Sequence, residues 1–114
     1  MGLMGLVLLV SAGHRGWVRY QQASVGADVA ALARPGDIQM LSSATCAPCL
    51  VARQWLNQNK VPFQECVIEQ QASCRQAFEA LMAPGTPVLQ VRGQTQLGFN
   101  PQRVLEGLRQ PPRS

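Results

Sequence analysis

Two cysteines, Cys46 and Cys49 in the segment CAPC, place the strongest constraint on how this chain can fold. The short, mostly apolar run at residues 38–41 precedes them and predicts a buried strand. Apolar side chains at helical spacing follow over residues 47–59 and predict an amphipathic helix. The pair is therefore expected where a strand turns into a helix, with Cys46 exposed before the first turn and Cys49 more buried one turn later.

The rest of the chain continues this alternation. Further strands are predicted at residues 61–68, 88–91 and 95–97, and further helices at residues 73–82 and from Asn100 onwards. The last two strands are close enough to form a hairpin. The predicted order is β-α-β-α-β-β-α.

The pattern divides the chain into an apolar segment (1–20), a linker with one short helix (21–36), an α/β domain (37–110) and a tail (111–114). Residues 36–110 carry six basic and five acidic side chains, so the +4 net charge of the chain lies mostly outside the domain. No basic stripe interleaved with aromatic residues is present, which argues against a nucleic-acid partner. Basic residues beside an apolar segment favour a membrane surface instead.

Residues 1–20 are the most apolar part of the chain. Residues 2–13 carry no charged side chain, and Trp17 and Tyr20 suit the interfacial aromatic belt of a membrane anchor. The rival interpretation is a cleaved signal segment, because the stretch VSA at residues 10–12 resembles a small-residue cleavage site. The domain is thus expected to be membrane-anchored or exported.

Two observations bear on its orientation. Arg15 and Arg19 follow the apolar run, and the positive-inside rule would keep them, and hence the domain, on the cytoplasmic side. Four cysteines behind an apolar segment favour an oxidising compartment instead. We predict a domain that faces a bacterial-type periplasm, with the cytoplasm-facing orientation as the alternative.

A cysteine at the N-terminus of a helix is suited to thiol–disulfide exchange. The thiolate is the nucleophile, and the unpaired N–H groups and dipole of the helix end stabilise an anion. A permanent disulfide and half of a zinc site are the alternatives for a CxxC segment, but its place between strand and helix favours redox chemistry. The single histidine, His14, is far from the motif in sequence, which argues against a cysteine hydrolase.

Cys66 and Cys74 lie outside this motif, and three interpretations of them are open. They pair with each other in a second disulfide, they pack as two small apolar side chains, or they join Cys46 and Cys49 in a four-sulfur metal site. Their spacing is unlike the paired CxxC of zinc ribbons. No metal or other cofactor is predicted.

Two further features bear on the site. The Thr86–Pro87 bond, just before the third strand, is a candidate cis peptide in a tight, functional turn. Asp37 and Glu65, at strand ends, are the acidic residues that can approach the cysteines, whereas Arg53 on the predicted helix is interpreted as a surface charge.

Together these motifs resemble the glutaredoxin-like redoxins. The matching segments are CAPC, GTPV (residues 85–88) and GFNP (residues 98–101), within residues 37–109. The resemblance implies an α/β, thioredoxin-like fold with a central four-stranded mixed sheet flanked by helices. It also implies reversible dithiol–disulfide exchange, with attack by Cys46 and resolution by Cys49.

The resemblance further implies a substrate-binding surface. Thr86 and Pro87 would present their backbone to an extended substrate, and Gly98, Phe99 and Asn100 would complete the surface where the last helix begins. The expected partners are protein thiols and disulfides, with a reductase or glutathione as the electron donor.

Three places depart from the glutathione-using glutaredoxins. Those proteins commonly carry a tyrosine inside the motif, a basic residue shortly before it and an acidic pair before the last helix. The departures argue against glutathione, and GFNP is similar to redoxins that serve ribonucleotide reductase and accept electrons from a flavoprotein reductase. In this chain the three corresponding positions hold Pro48, Ser43 or Ala44, and Asn100-Pro101.

The alternative function is a thioredoxin-fold binding module that holds a metal or a partner through its cysteines.

Overall fold

A computed structural model of the chain describes residues 24–111. The first element described is a helix, α1, at residues 24–32. The elements that follow are β1 (Ile38–Ser42), α2 (Ala47–Gln58), β2 (Gln64–Val67), α3 (Ala72–Leu81), β3 (Val88–Val91), β4 (Gln94–Leu97) and α4 (Pro101–Arg109).

The strands of the described residues form one mixed sheet in the order β2-β1-β3-β4. β1 and β2 run parallel, and β3 runs antiparallel to both β1 and β4. A parallel pair needs a crossover connection, which α2 supplies, whereas antiparallel β3 and β4 need only a two-residue turn. This arrangement confirms the α/β fold with a four-stranded mixed sheet and flanking helices.

The two faces of the sheet carry cores of different size. Because side chains alternate along a strand, Met40 of β1 faces a larger core and its neighbour Leu41 faces a smaller one. The smaller core, under α3, is built from Leu41, Val88 and Cys74. The larger core, under α1, α2 and α4, contains Val29, Ile38, Met40, Ala52, Leu56, Leu89, Val91, Val104, Leu105 and Leu108.

The segment expected to be a linker contains helix α1, which packs into the domain. Val29 is fully buried, Ala33 is nearly so, and both belong to the larger core. α1 also approaches the end of α2 closely, since a Cβ added at Gly26 would lie 2.1 Å from Oδ1 of Asn59. From residue 24 onwards the expected linker is thus part of the packed structure, because burying these apolar side chains is favourable.

Arg92 joins three elements at the end of the sheet where β1 begins, opposite the cysteine motif. It occupies the β3–β4 turn with φ 49°, and Gly93 follows with φ 84°, as a two-residue hairpin turn requires. Its guanidinium donates to the carbonyl of Leu108 at 2.6 Å and to that of Leu32 at 3.4 Å, at the ends of α4 and α1. It also pairs with Asp37 at 3.3 Å. Asp37 therefore does not approach the cysteine motif.

The predicted anchor or signal segment, residues 1–20, lies outside the described residues, as does most of the predicted tail. Across residues 24–111, no helix is both long and apolar enough to cross a membrane. The helix α2, for example, has 12 residues, whereas a membrane span needs about 20.

Candidate functional site

Cys46 caps the N-terminus of α2. Its backbone is extended, with φ −99° and ψ 109°, and its Sγ accepts a hydrogen bond from the N–H of Cys49 at 3.1 Å. Pro48 lies in the first turn, where a missing N–H costs little. Cys46 is half-buried and Cys49 is fully buried. The structure thus places the pair where β1 turns into α2, with Cys46 as the outer cysteine.

The sulfur atoms of this pair lie at bonding distance, so the structure shows its oxidised form. The two Cα atoms are 5.2 Å apart, which is usual for a disulfide. In the reduced form, the N–H of Cys49 and the helix dipole would stabilise a thiolate on Cys46, and no acidic side chain in the first turn opposes them. The geometry suits the outer sulfur for attack and the buried one for resolution.

The loop before β3 faces the outer cysteine. The Thr86–Pro87 peptide bond is cis, as the sequence predicted, and the carbonyl oxygen of Thr86 lies 3.4 Å from Sγ of Cys46. The N–H of Gly98 donates to the carbonyl of Pro87 at 2.9 Å, which brings the GFNP segment to the same loop. Within residues 24–111 no backbone hydrogen bond involves Thr86, so its backbone is available to a substrate chain.

Phe99 and Asn100 make structural contacts. The ring of Phe99 packs against Trp55, with the centroids 5.5 Å apart. Oδ1 of Asn100 accepts from the N–H of Gln102 at 3.0 Å and from that of Arg103 at 3.3 Å, and so caps α4. These two side chains are thus engaged in contacts within the protein. The other three residues predicted to bind substrate, Thr86, Pro87 and Gly98, lie together beside the outer cysteine.

An ion pair joins α2 to β2 one turn beyond Cys49. Nε of Arg53 donates to Oε1 of Glu65 at 2.7 Å, and its Nη2 donates to the second carboxylate oxygen. The hydroxyl of the buried Ser42 donates to the same carboxylate at 2.6 Å. The hydrogen bond from Arg53 is the main reason that the pKa of Glu65 lies below its usual value, and Ser42 adds to the effect against the opposing influence of burial. Arg53 is therefore not the isolated surface charge expected from the sequence.

Glu69 holds the loop that leads into the outer cysteine. Its Oε2 accepts the N–H of Ala44 at 3.1 Å, and its Oε1 accepts the hydroxyl of Ser43. These two bonds lower the pKa of Glu69, and the bond from Ser43 has the larger effect. The sequence did not indicate this contact, because 25 residues separate Glu69 from Ala44 and no local pattern links them.

The second cysteine pair lies on the other face of the sheet. The sulfur atoms of Cys66 and Cys74 are at bonding distance, their Cα atoms are 5.6 Å apart, and Cys74 is fully buried. The bond ties β2 to the first turn of α3. The four cysteines of the chain thus form two separate pairs, and in the part of the chain that the structure describes no three His, Cys, Asp or Glu side chains are grouped to hold a metal ion.

Comparison with known proteins agrees with this geometry. The family model described as Glutaredoxin matches residues 38–95. That range runs from β1 into β4 and contains both cysteine pairs and the cis-proline loop. No curated protein sequence matches the chain significantly.

Solved structures share the fold at low sequence identity. The thioredoxin-like protein BC3987 matches with a TM-score of 0.54 and 21% identity, over 61% of this chain and 97% of its own. The glutaredoxin grx-1 from Archaeoglobus fulgidus matches with a TM-score of 0.53 and 20% identity, over 65% of this chain and 87% of its own. These similarities establish a thioredoxin-like fold. Because the family model spans 58 of the chain's 114 residues (38 to 95 inclusive), the chain belongs to the glutaredoxin family.

Proposed function

We propose that this protein is a thiol–disulfide oxidoreductase that exchanges the Cys46–Cys49 dithiol with the disulfides of protein substrates. The position of the Cys46 sulfur carries the proposal. It lies at the N-terminus of α2, 3.1 Å from the N–H of Cys49 and 3.4 Å from the carbonyl oxygen of Thr86. A sulfur in this place is stabilised as an anion and lies beside backbone groups that can pair with an extended substrate.

The reaction takes two exchange steps. The thiolate of Cys46 attacks one sulfur of a substrate disulfide, which forms a mixed disulfide and releases the other substrate sulfur as a thiolate that takes up a proton. Cys49 then loses its proton to solvent and attacks the Cys46 sulfur, which closes the Cys46–Cys49 disulfide and releases the second substrate thiol. Two electrons pass from protein to substrate, and the reverse sequence oxidises a substrate dithiol.

The surroundings of the outer cysteine favour a protein partner over glutathione. Residues 43–52, 83–87 and 97–100 meet at this site and contain no charged side chain. Leu50 and Val51, which follow Cys49 in α2, are 48% and 61% exposed. Glutathione carries two carboxylates and would meet no cation in these segments, whereas an apolar protein segment would bury both side chains. A protein reductase is accordingly the proposed electron donor.

We further propose that residues 1–20 attach the domain to a membrane or direct its export, and that the domain faces an oxidising, periplasm-like compartment. The Cys66–Cys74 disulfide supports this location, because a disulfide outside the active site persists in oxidising surroundings. Labelling of intact cells with a membrane-impermeant thiol reagent tests it. Failure to label Cys46 after mild reduction, together with labelling after lysis, would place the domain in the cytoplasm.

Trapping of the mixed disulfide tests the redox function. The full-length Cys49→Ser variant lacks the resolving thiol, so we expect it to accumulate a covalent adduct with insulin, used as a protein disulfide, on non-reducing gels. Cys46→Ser should form no adduct and should lose insulin reduction. The matched control, Cys66→Ser with Cys74→Ser in the Cys49→Ser background, should still form the adduct. Unchanged insulin reduction by Cys46→Ser would disprove the proposed function.

A further inference from the structure

Glu69 belongs to both cysteine regions. It lies within residues 66–74, the segment that the second disulfide closes into a ring between β2 and α3. Its side chain extends away from this ring. The carboxylate accepts hydrogen bonds from the N–H of Ala44 and the hydroxyl of Ser43, in the loop that precedes the outer cysteine. One exposed side chain therefore connects the second disulfide to the approach of the first.

The ring holds the backbone that carries Glu69. The N–H groups of Gln70 and Gln71 donate to the carbonyl of Val67 at 3.0 and 3.2 Å, which closes the turn after β2. The N–H of Ile68 donates to the carbonyl of Ser42 at 2.9 Å and attaches the turn to the end of β1. The disulfide closes the other side of this turn onto α3, so opening it would return conformational freedom to the segment.

Apart from the bonds to Glu69, the hydrogen bonds within the loop before Cys46 are long and local, such as that from the N–H of Thr45 to the hydroxyl oxygen of Ser43 at 3.4 Å. Ala44 and Thr45 are exposed and Ser43 is only half-buried, and a weak backbone bond of 3.3 Å joins the N–H of Cys46 to the carbonyl of Ser43. Movement of this loop would shift Cys46 and weaken its hydrogen bond with the N–H of Cys49, the contact that favours the thiolate.

We propose that Glu69 is a positioning residue for Cys46, and that the Cys66–Cys74 disulfide, by holding Glu69 in place, makes the reactivity of Cys46 depend on the redox state of the second pair. An external dithiol that reduces the second pair becomes a disulfide itself, and its two electrons and two protons produce the two thiols. The ring then opens, the loop loosens and Cys46 reacts more slowly. This inference rests on the proposed function, in which the Cys46 thiolate is the nucleophile.

The alkylation of Cys46 measures the effect directly. In the full-length Cys49→Ser protein, Cys46 is the one free thiol while the second disulfide stays closed, which mass spectrometry verifies. Rates with iodoacetamide are recorded over a range of pH for this parent, for Glu69→Ala and for Glu69→Gln. We expect Glu69→Ala to slow alkylation at pH 7 about threefold, as for the loss of one net hydrogen bond, and to move the midpoint of the pH profile upwards. Glu69→Gln should recover part of the rate, since its amide oxygen still accepts.

A double-mutant cycle tests the coupling to the disulfide. Cys66→Ala with Cys74→Ala should slow alkylation in the same way, and its combination with Glu69→Ala should be no slower than Glu69→Ala alone, because both changes act through one contact. The control Glu79→Ala, which removes an exposed carboxylate on α3, should leave the rate unchanged. Circular dichroism confirms that each variant is folded.

The outcomes separate this inference from the proposed function. Unchanged or faster alkylation in Glu69→Ala would overturn the positioning role, the faster rate showing that the carboxylate acts only as a charge that opposes the thiolate. Additive losses in the combined variant would overturn the link to the second disulfide. If Cys46 failed to trap insulin although its alkylation followed the expected pattern, the redox function would fail while the positioning role stood.

Discussion

The two cysteine pairs have the same bond and the same burial, with one half-buried and one fully buried cysteine each, but different neighbours. Cys46 is half-buried at the N-terminus of α2, where its sulfur meets the N–H of Cys49 and lies near the carbonyl of Thr86. The Cys66–Cys74 bond lies on the other face of the sheet, under α3 and against the smaller apolar core, with Cys74 fully buried. One pair thus lies at a helix N-terminus and the other against an apolar core.

The expected role of each disulfide follows from its neighbours. A sulfur that a helix N-terminus stabilises as a thiolate exchanges readily, whereas a sulfur packed against apolar side chains lacks that stabilisation. Such a disulfide still stabilises the fold, because it restricts the unfolded chain. We therefore expect exchange at the first pair and stabilisation at the second, and three measurements test this contrast.

Removal of the second disulfide should have the largest effect on stability. The double variant Cys66→Ala with Cys74→Ala opens a ring with a sequence separation of 8, and its free energy of unfolding should fall by about 2–3 kcal/mol. Replacing both Cys46 and Cys49 by alanine should cost less, because that ring, with a separation of 3, is shorter. Urea unfolding followed by circular dichroism measures both. An equal or larger loss from the first pair would contradict the contrast.

The second measurement is the reduction potential of each disulfide, obtained by equilibration with dithiol buffers, and here we expect a smaller difference between the pairs than in stability. The Cys66–Cys74 bond, which packs against the smaller core, should have a reduction potential at least about 30 mV more negative than that of Cys46–Cys49, which corresponds to a tenfold difference in the equilibrium constant. Alkylation of the quenched samples, followed by mass analysis of the two cysteine peptides, reports each pair separately. If both pairs were reduced at the same buffer potential, the helix N-terminus at the first pair would not be what sets their reactivity apart.

The smallest expected effect is the pH-dependent stability that comes from the ion pair between Arg53 of α2 and Glu65 of β2. The pKa of Glu65 is lowered in the folded state, so its ion pair with Arg53 contributes stability above the ordinary value of 4.5, and the contribution is lost as the pH falls through the lowered value. At pH 7, Glu65→Gln should reduce the free energy of unfolding by about 1 kcal/mol, a figure that allows for solvent screening at the partly exposed Arg53.

Urea unfolding between pH 3 and pH 7 checks this dependence. The difference between the parent and Glu65→Gln should shrink as the pH falls through the acid range, because protonation of the parent's carboxyl removes the same charge. Glu79→Gln, at an exposed position of α3, is the matched control and should differ little from the parent throughout. A constant difference for Glu65→Gln at every pH would show that the ion pair is not its source.

Features that depend on neighbouring residues were predictable from the sequence. The strand-to-helix turn at the cysteine motif, the cis bond at Thr86–Pro87 and the cap at Asn100 each arise within a few positions of the chain. Strand ends were less predictable. The sequence predicted that β2 begins at residue 61, but it begins at Gln64, because the apolar residues just before Gln64 do not pair with β1.

No local sequence pattern indicated the contacts that join distant parts of the chain. The Arg53–Glu65 ion pair spans 12 residues, the bond from Ala44 to Glu69 spans 25, and that from Arg92 to Leu32 spans 60. Likewise, the pairing of Cys66 with Cys74 was one of three open interpretations. It depends on how α3 lies across β2 rather than on the spacing of the two residues.

Local sequence patterns specify the order of strands and helices and the place of Cys46 and Cys49, because periodicity, caps and turn residues act within a few positions of the chain. The resemblance of the CAPC, GTPV and GFNP segments indicated the family. The packing of α1 into the domain and the position of the two disulfides on opposite faces of the sheet emerge from tertiary structure alone. The same is true of Glu69, which reaches from one pair towards the other. These outcomes depend on which surfaces meet when sheet and helices pack, and local backbone preferences do not specify that.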